Sequence, residues 1–561
     1  MRLKIATLLA ATTLCAVTAC NPTDENKGKI DKTSLKISAT VAESDAASSI
    51  HGGDFRWSAD DAIYIMDSRR HFNTLSITEG AGTATATFSG EFGSDADPSR
   101  MAVWPARPGF SWSESKGLTV YMPDEYDADK AHTPMVATFK STRSTLKFRY
   151  LCGSLHLSVI QVPVRAKTLR FAAKGLKLSG NFQIADPASS SAVISAEPTE
   201  KGDSVIFVTL PQHEDMETVS LDFPVPAGTY PRATVSLYDD DGVELSRGII
   251  RNASVRRGEA LRFENAEFEK LVFRFIDYNV LQGMKNDYAD NMDNFVAWVR
   301  SQGPDILVLC EAKTFDAAYP DITNENRPMP ENIATLAARW GHSHTAVGAY
   351  QDNFPVLITS RYPIELIQTL SGKTYSHGGF HARVEGVNIV ALHTKPAHNT
   401  VDDEIFRLNE LKAATECSLL NPAYAGETKW ILTGDLNSYW RGDYEHYTSS
   451  YKNKAWDDWQ AQEYLHSVWD HDVLYDFHQG AWQPTMYHGN ARIDYIMCNE
   501  NVYQCVKSAK VLHDSFTDSY TATNKLSAAD HRPVEMTFDN RGRTADTDAG
   551  AAVLNPVGGE W

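Results

Sequence analysis

Pro304-Asp305-Ile306-Leu307-Val308-Leu309-Cys310-Glu311 holds an unbroken apolar run, Ile306 to Cys310, between two carboxylates. A short run of this kind, without polar alternation, reads as a strand covered on both faces. The segments around it change period. Residues 271–280 are strand-like. Residues 291–301 have helical spacing, with Phe295, Val296 and Val299 on one side. Residues 402–420 are amphipathic, with Ile405, Leu408, Leu411 and Leu419 apolar, and residues 429–433 form another strand. Strands and helices in alternation predict an α/β-type domain over residues 270–540.

Polar residues end several of these strands, which is where such a scaffold places its site. Asn279 closes the first strand and Glu311 follows the second. Leu392-His393-Thr394 closes a third and Gly434-Asp435-Leu436-Asn437 a fourth. Arg492-Ile493-Asp494-Tyr495-Ile496 runs into a fifth, and Asp530-His531-Arg532-Pro533-Val534 enters the last. Taken singly, a strand-end Asp is more often a cap or turn residue, and a lone His more often packs in a core or faces solvent. Together the residues are chemically coherent. Carboxylates and amides suit a hard cation such as Mg²⁺ or Mn²⁺. No HExxH or cysteine pattern suggests zinc, and neither a GxxxxGK[ST] phosphate loop nor a GxSxG elbow accompanies them.

The same ordered set resembles the endonuclease/exonuclease/phosphatase superfamily, the DNase I-like fold. Asn279, the run 304–311, Ser360-Arg361-Tyr362-Pro363-Ile364, His393, 434–437, 492–496 and 530–534 stand in family order. The resemblance implies a four-layer α/β/β/α sandwich with the site at one edge of two packed sheets. It implies that Glu311 binds the metal with Asn279 and Asp530 nearby, and that Asp435 aligns or deprotonates the attacking water. Asn437 would donate to a phosphate oxygen, His531 would contact the scissile phosphate, and Asp494 would fix the tautomer and charge of His531. His393 would be a second acid or phosphate contact. That position resembles the His of the sphingomyelinase, inositol-phosphatase and DNase I branches, whereas abasic-site endonucleases usually carry Tyr there, which argues against a DNA-repair role.

An aromatic-rich stretch follows Asn437. Tyr439 and Trp440 are the substrate-rim candidates in it, and core packing is the expectation for the remainder. His377 and His381 flank Gly378-Gly379 and read as exposed loop histidines able to meet substrate.

Residues 34–265 read as all-β, with short alternating segments such as Leu146-Lys147-Phe148-Arg149-Tyr150 between Gly, Pro, Asp and Ser clusters. A sandwich is the natural architecture. Trp57-Ser58-Ala59-Asp60-Asp61, Ala86-Thr87-Phe88-Ser89-Gly90 and Ala102-Val103-Trp104-Pro105-Ala106 resemble the opening of fimbrillin-like domains, β-sandwich modules of bacterial surface lipoproteins. That resemblance implies adhesion, assembly or display. The fold class expected of the whole is thus α+β multidomain, a β-sandwich followed by the DNase I-like unit.

At the start, Arg2 and Lys4 precede an apolar run over residues 5–17, closed by Val17-Thr18-Ala19-Cys20. Positive, apolar, then small residues describe an export signal over residues 1–20. Cys20 at the cleavage point resembles a lipobox and would carry the lipid. Residues 21–33 read as a tether, and residues 541–561 as a flexible tail. The expectation is a cell-envelope protein, at the outer membrane, anchored by lipid with no spanning helix.

The formal charge of −19 disfavours loose adhesion to nucleic acid or anionic membrane, although bound cations reverse the field at one site. Of seven cysteines, Cys152, Cys310, Cys417, Cys498 and Cys505 follow the leader without metal-ligand spacing. Buried free thiols are the default, with a Cys498–Cys505 disulfide the alternative in an oxidising compartment. The leading function is a metal-dependent phosphodiesterase or phosphatase. Lipid headgroup, inositol phosphate, phosphoglycan and nucleic acid remain as substrate classes. An extracellular endonuclease of the same fold and a non-catalytic adhesin are the rivals.

Overall fold

The computed structural model describes residues 33–42, 50, 55–92, 98–199, 205–284, 288–313, 315, 332–348, 351–352, 354–396, 400–447, 459–487, 491–518, 529–540 and 552–557. The export signal, Cys20 and most of the tether lie outside these residues. No helix among the described residues is long and apolar enough to cross a membrane.

Among the described residues the β-rich segment, expected as one sandwich, holds a closed barrel, a small sheet of Phe110–Ser113, Gly117–Met122 and Gly180–Ile184 packed against it, and a pair of facing sheets. The barrel has seven strands. Closure comes from Thr33–Val41, which pairs in parallel with Leu146–Tyr150 and antiparallel with Thr85–Phe92. Trp57, Ile63, Phe88, Trp104 and Phe148 fill the interior. The Trp104 indole N–H donates to Asp61 Oδ1 at 2.9 Å, which satisfies the one polar atom of that ring. Strand alternation is the same in a barrel and a sandwich, so local pattern cannot separate them.

The facing sheets are the sandwich. A three-stranded sheet built on Gly153–Val162 faces a larger sheet built on Gly228–Tyr238 and Glu244–Val255. Leu155, Leu169, Phe171, Phe223 and Val235 lie between them. Both ends of the following unit return to one strand of this sandwich. Glu269–Lys270 pairs with Ser246 and Arg247, and Ala552–Leu554 pairs in parallel with residues 248–250. The expectation of a loose tail is therefore corrected for these residues: three apolar side chains among Gly and Asp find an open strand edge. Leu554 is 6% exposed and lies against Gly248, where a Cβ would come within 2.8 Å of it. Leu554→Ala is expected to cost about 2–3 kcal/mol, the low end of the range for a buried leucine. A thermal melt unchanged by this substitution would rule out that packing.

Residues 273–538 form two six-stranded sheets. Phe275, Val308 and Ile358 of one face Ile389, Ile431 and Ile496 of the other. On the outer side of the first sheet, Ile276, Leu307 and Leu309 meet Phe295 and Val299 of helix Tyr288–Gln302 and Leu336 of helix Ile333–Ala338. On the outer side of the second, Val390 and Leu432 meet Leu408 and Leu411 of helix Val401–Glu416 and Leu465 of helix Gln460–Val468. The central strands, Ile306–Cys310 among them, are buried on both faces, which is why 306–310 carries no polar alternation. The four layers are those expected.

Charged residues dock this unit on the sandwich. Arg361 donates to Asp215 of the sandwich and to the carbonyl of Pro304, the latter at 3.1 Å. Lys270 pairs with Asp305, and Arg165 donates to Thr537 Oγ1 at 2.9 Å. Burial pushes the Asp305 carboxyl up, but Lys270 and Arg361 beside it win and hold it below its usual range. The motif residues Asp305 and Arg361 thus serve the docking, away from the chemistry. The five described cysteines are free, so Cys498 and Cys505 do not pair.

Candidate active site

Pairing direction gathers the polar strand ends on one edge. Phe273–Asn279 and Ile306–Cys310 are parallel, so Asn279 and Glu311 emerge together. Val387–His393 and Trp430–Asp435 are parallel in the facing sheet. Asp494–Cys498 is antiparallel to the latter and starts where it ends, with Asp494 opposite Asp435. His531 comes just before Val534–Phe538, which is antiparallel to Phe273–Asn279.

Asn279 joins the two sheets. Its Nδ2 donates to Glu311 Oε1 at 3.1 Å and to Asp435 Oδ2 at 2.9 Å, while its Oδ1 accepts from Leu281 N at 3.0 Å. Glu311 Oε2 accepts from Gln282 N at 2.8 Å. Asp435 Oδ1 accepts from Asn437 N at 3.0 Å. The backbone is strained around these contacts. Leu281, Gln282, Glu311 and Asn437 all have positive φ, between 45° and 56°. Such residues cost of order 1 kcal/mol or more each and gather where function over-determines the backbone. Gly434 has a structural reason: φ is 131°, and a Cβ would lie 1.9 Å from the Leu392 carbonyl. Only glycine lets the strand carrying Asp435 approach the strand carrying His393 so closely.

Two histidines flank Asp435. His531 Nδ1 lies 2.9 Å from Asp494 Oδ2, and its Nε2 is 3.8 Å from Asp435 Oδ2. Burial opposes its charge, yet Asp494 and Asp435 overcome that and raise its proton affinity well above the histidine range. His393 Nε2 is 3.6 Å from the same Asp435 oxygen and 4.0 Å from Glu311 Oε1. Burial drives its proton affinity well down, with His377 and His531 adding to it. The surroundings thus favour the charged form of His531 and the neutral form of His393. Asp435 is pushed up to about 7, by burial first and by Asp494 and Glu311 next, against the pull of His531. Burial also raises Glu311.

The donor set fits a hard divalent cation. Glu311, His393 and Asp435 present ligand atoms within 4.8 Å of one another, as do Asp435, Asp494 and His531. Asp530 Oδ1 is buried with no hydrogen-bond partner among the described residues. An orphaned carboxylate oxygen beside a carboxylate cluster is what a bound cation would satisfy.

The structure brings together Asn279, Glu311, His393, Asp435, Asn437, Asp494, Asp530 and His531. Asn437 is half-buried, and its Nδ2 donates to the Thr394 carbonyl at 3.3 Å. Tyr439 is corrected as a rim candidate: it is 8% exposed and packs edge-on to Tyr447 in a small core. Trp440 stacks on His466 at 3.7 Å and stays half-buried. His377 and His381 are both buried, contrary to expectation. His381 faces Asn388 and Trp430, away from the site, whereas His377 stacks on His393.

Two further carboxylates were missed. Asp277 is buried beneath the site, accepts from Thr433 Oγ1 at 2.9 Å, and is pushed well up by burial and by Asp494. The signal was present: one acid inside an apolar strand. Glu410, 1% exposed on helix Val401–Glu416, accepts from Ser376 N at 2.5 Å and Lys395 N at 2.8 Å. It ties the segment before His377 to the segment after His393. Burial pushes it from 4.5 to about 7 despite these two bonds. A carboxyl raised on folding adds stability that is full below its unfolded value and is lost as pH rises through the folded one, here up to about 3 kcal/mol between pH 4.5 and 7. Thermal melts of wild type should fall relative to Glu410→Gln across that window. Parallel pH slopes would refute this assignment.

Residues 278–518 match the Endonuclease/Exonuclease/phosphatase family, whose members are hydrolases. The match ends before Asp530 and His531, which the geometry itself places in the site. No curated protein matches the chain. Among similar solved structures is an AP endonuclease from Archaeoglobus fulgidus, at 17% identity and a TM-score of 0.37, covering 48% of this chain and 99% of that one. A 3'-5' exonuclease (NExo) from Neisseria meningitidis has 19% identity and a TM-score of 0.35, covering 47% and 99%. A 3' phosphatase from Neisseria bound to a product DNA hairpin has 18% identity and a TM-score of 0.35, covering 48% and 99%.

Proposed function

We propose that residues 270–540 are a divalent-metal-dependent phosphoester hydrolase, a phosphodiesterase or phosphatase, displayed on the bacterial cell envelope through a lipid on Cys20. The observation that carries the chemistry is Asp435, held between a cationic His531 and a neutral His393 at the edge where Glu311 and Asn279 emerge. A carboxylate whose proton affinity lies near neutrality can take a proton from water. Asn279 and the Asn437 backbone N–H fix both Asp435 oxygens, so the base has one orientation. His531, kept charged by Asp494, donates to a phosphoryl oxygen as negative charge grows there. The Asn437 side chain adds a second donor at the same edge. Glu311 and Asp530 would hold Mg²⁺ or Mn²⁺, with Asn279 orienting the Glu311 carboxylate, and the cation supplies Lewis-acid stabilisation when bound. The positive start, apolar run and Cys20 of the leader support the envelope location, and the β-rich units would hold the enzyme off the membrane.

The test is a phosphoester panel on the full mature chain: a bis-nitrophenyl phosphate, a mononitrophenyl phosphate, choline phospholipids, inositol phosphates and duplex DNA, each with Mg²⁺ or Mn²⁺ and with EDTA. Hydrolysis of at least one, abolished by EDTA, is expected. No hydrolysis, or hydrolysis indifferent to EDTA, overturns the reading. Release of a Cys20→Ala variant from membranes into the soluble fraction tests the anchor separately.

A further inference from the structure

One histidine beside the site has no part in the chemistry above. His377 immediately precedes the strand Gly378–Val384, and Gly378 pairs with His393, so the pairing carries the two imidazoles side by side. Their rings stack with centroids 4.3 Å apart and planes 27° apart. Phe354 meets His377 edge-on at 4.7 Å and lies 6.0 Å from His393. Asp352 grips both neighbours. Its Oδ2 lies 2.5 Å from His377 Nδ1, and its Oδ1 accepts from Phe354 N at 2.9 Å. His377 is 6% exposed, and its Nε2 has no hydrogen-bond partner among the described residues.

His393 needs such a support. Its Nε2 contacts to Asp435 and Glu311, at 3.6 and 4.0 Å, are longer than hydrogen bonds. The χ2 torsion of histidine is broad and roughly two-fold. A half-turn exchanges a ring nitrogen for a carbon at the site. What sets the ring plane is therefore its contact with the Phe354 backbone together with the wall it packs on. A carboxylate that accepts from one ring nitrogen fixes tautomer and plane of that imidazole, and Asp352 does this for His377.

We propose that Asp352, His377 and Phe354 are positioning residues that hold His393 in register with Asp435, a second carboxylate–imidazole pair whose work is orientation. This rests on the hydrolase reading above. His377 does not touch the substrate; it acts through the face it presents to His393.

The experiment uses the full mature chain and three variants: His377→Ala, His377→Phe and Asp352→Ala. Kinetics on bis-nitrophenyl phosphate with Mn²⁺ are expected to show kcat falling about 10- to 100-fold in His377→Ala, as for a small displacement of a reacting group. KM should barely move, while the melting temperature should fall as for any buried ring cut to alanine, so the comparison with His377→Phe carries the test. His377→Phe keeps the flat face and should recover most of the loss. Asp352→Ala should fall between. Equal loss in the Phe and Ala variants would show that a His377 nitrogen acts on the substrate and would overturn the proposal, as would unchanged kcat in His377→Ala. A second readout needs no turnover. NMR of histidine-labelled protein, with His393 assigned through His393→Gln, should show the His393 signals shifted or broadened in His377→Ala and restored in His377→Phe. An unmoved His393 resonance overturns the proposal whatever the activity. An inactive wild type sinks the hydrolase reading, and the NMR comparison then decides the positioning claim by itself.

Discussion

Asp435→Ala is expected to lower kcat about a thousandfold, and His531→Ala by a similar factor, while the double variant falls little further. The magnitude follows from losing a positioned base together with the cation that faces it. Non-additivity follows from geometry: His531 Nε2 and Asp435 Oδ2 are 3.8 Å apart, and each raises or lowers the proton affinity of the other. Groups that act as one unit lose most of their effect when either is removed. A stability measurement separates this from simple unfolding. Asp435 shares its burial with Glu311 and Asp277, and burial disfavours the charge on all three. Removing one carboxylate relieves it, so Asp435→Ala should melt at or above the wild-type temperature, a common trade at active sites. Asp435→Ala with kcat within tenfold of wild type, or a double variant that multiplies the two losses, would refute the unit.

The legible parts of this protein are those whose cause is local. Ile306–Cys310 shows as a strand because burial on both faces removes polar alternation, and Glu311 shows because it interrupts that run. The helices Tyr288–Gln302 and Val401–Glu416 show through their apolar spacing. What depends on distant partners shows less. Asp494 and His531 are 37 residues apart and are joined only through the family resemblance, whereas Asp352 and His377, 25 apart, stayed hidden because no spacing rule joins them. The closure of the barrel rests on Thr33–Val41 meeting Leu146–Tyr150, a pairing across most of that segment. His377 reads as a loop residue because Gly378-Gly379 follows it. Those glycines mark instead a close backbone approach: a Cβ on Gly379 would lie 1.9 Å from the Ala391 carbonyl. Tyr439, next to the site in sequence, turns into a core of Tyr447 and Trp459 because an aromatic ring buries more area there than at a rim.

Glu311→Gln is expected to weaken Mg²⁺ and Mn²⁺ binding at least about a hundredfold, roughly 2.7 kcal/mol. The substitution keeps the shape of the side chain and removes its charge. It also sets an amide N–H₂ against one of the two donors, Asn279 Nδ2 or Gln282 N, that now hold both Glu311 oxygens. Asn279→Ala should cost less, about 10- to 100-fold, because it releases Glu311 and Asp435 from their shared orientation without removing a charge. The affinity should depend on pH in one direction. Burial raises the proton affinity of Glu311, a ligand, and of Asp435 beside it, so protonation of either opposes the cation. Cation binding then expels protons below about pH 7, and affinity rises from acid towards that value and levels above it. Calorimetry in two buffers of different ionisation enthalpy measures both the constants and the protons released. Superimposable titrations of wild type and Glu311→Gln would remove Glu311 from the metal site, and affinity independent of pH between about 5.5 and 7 would rule out competition between protons and the cation.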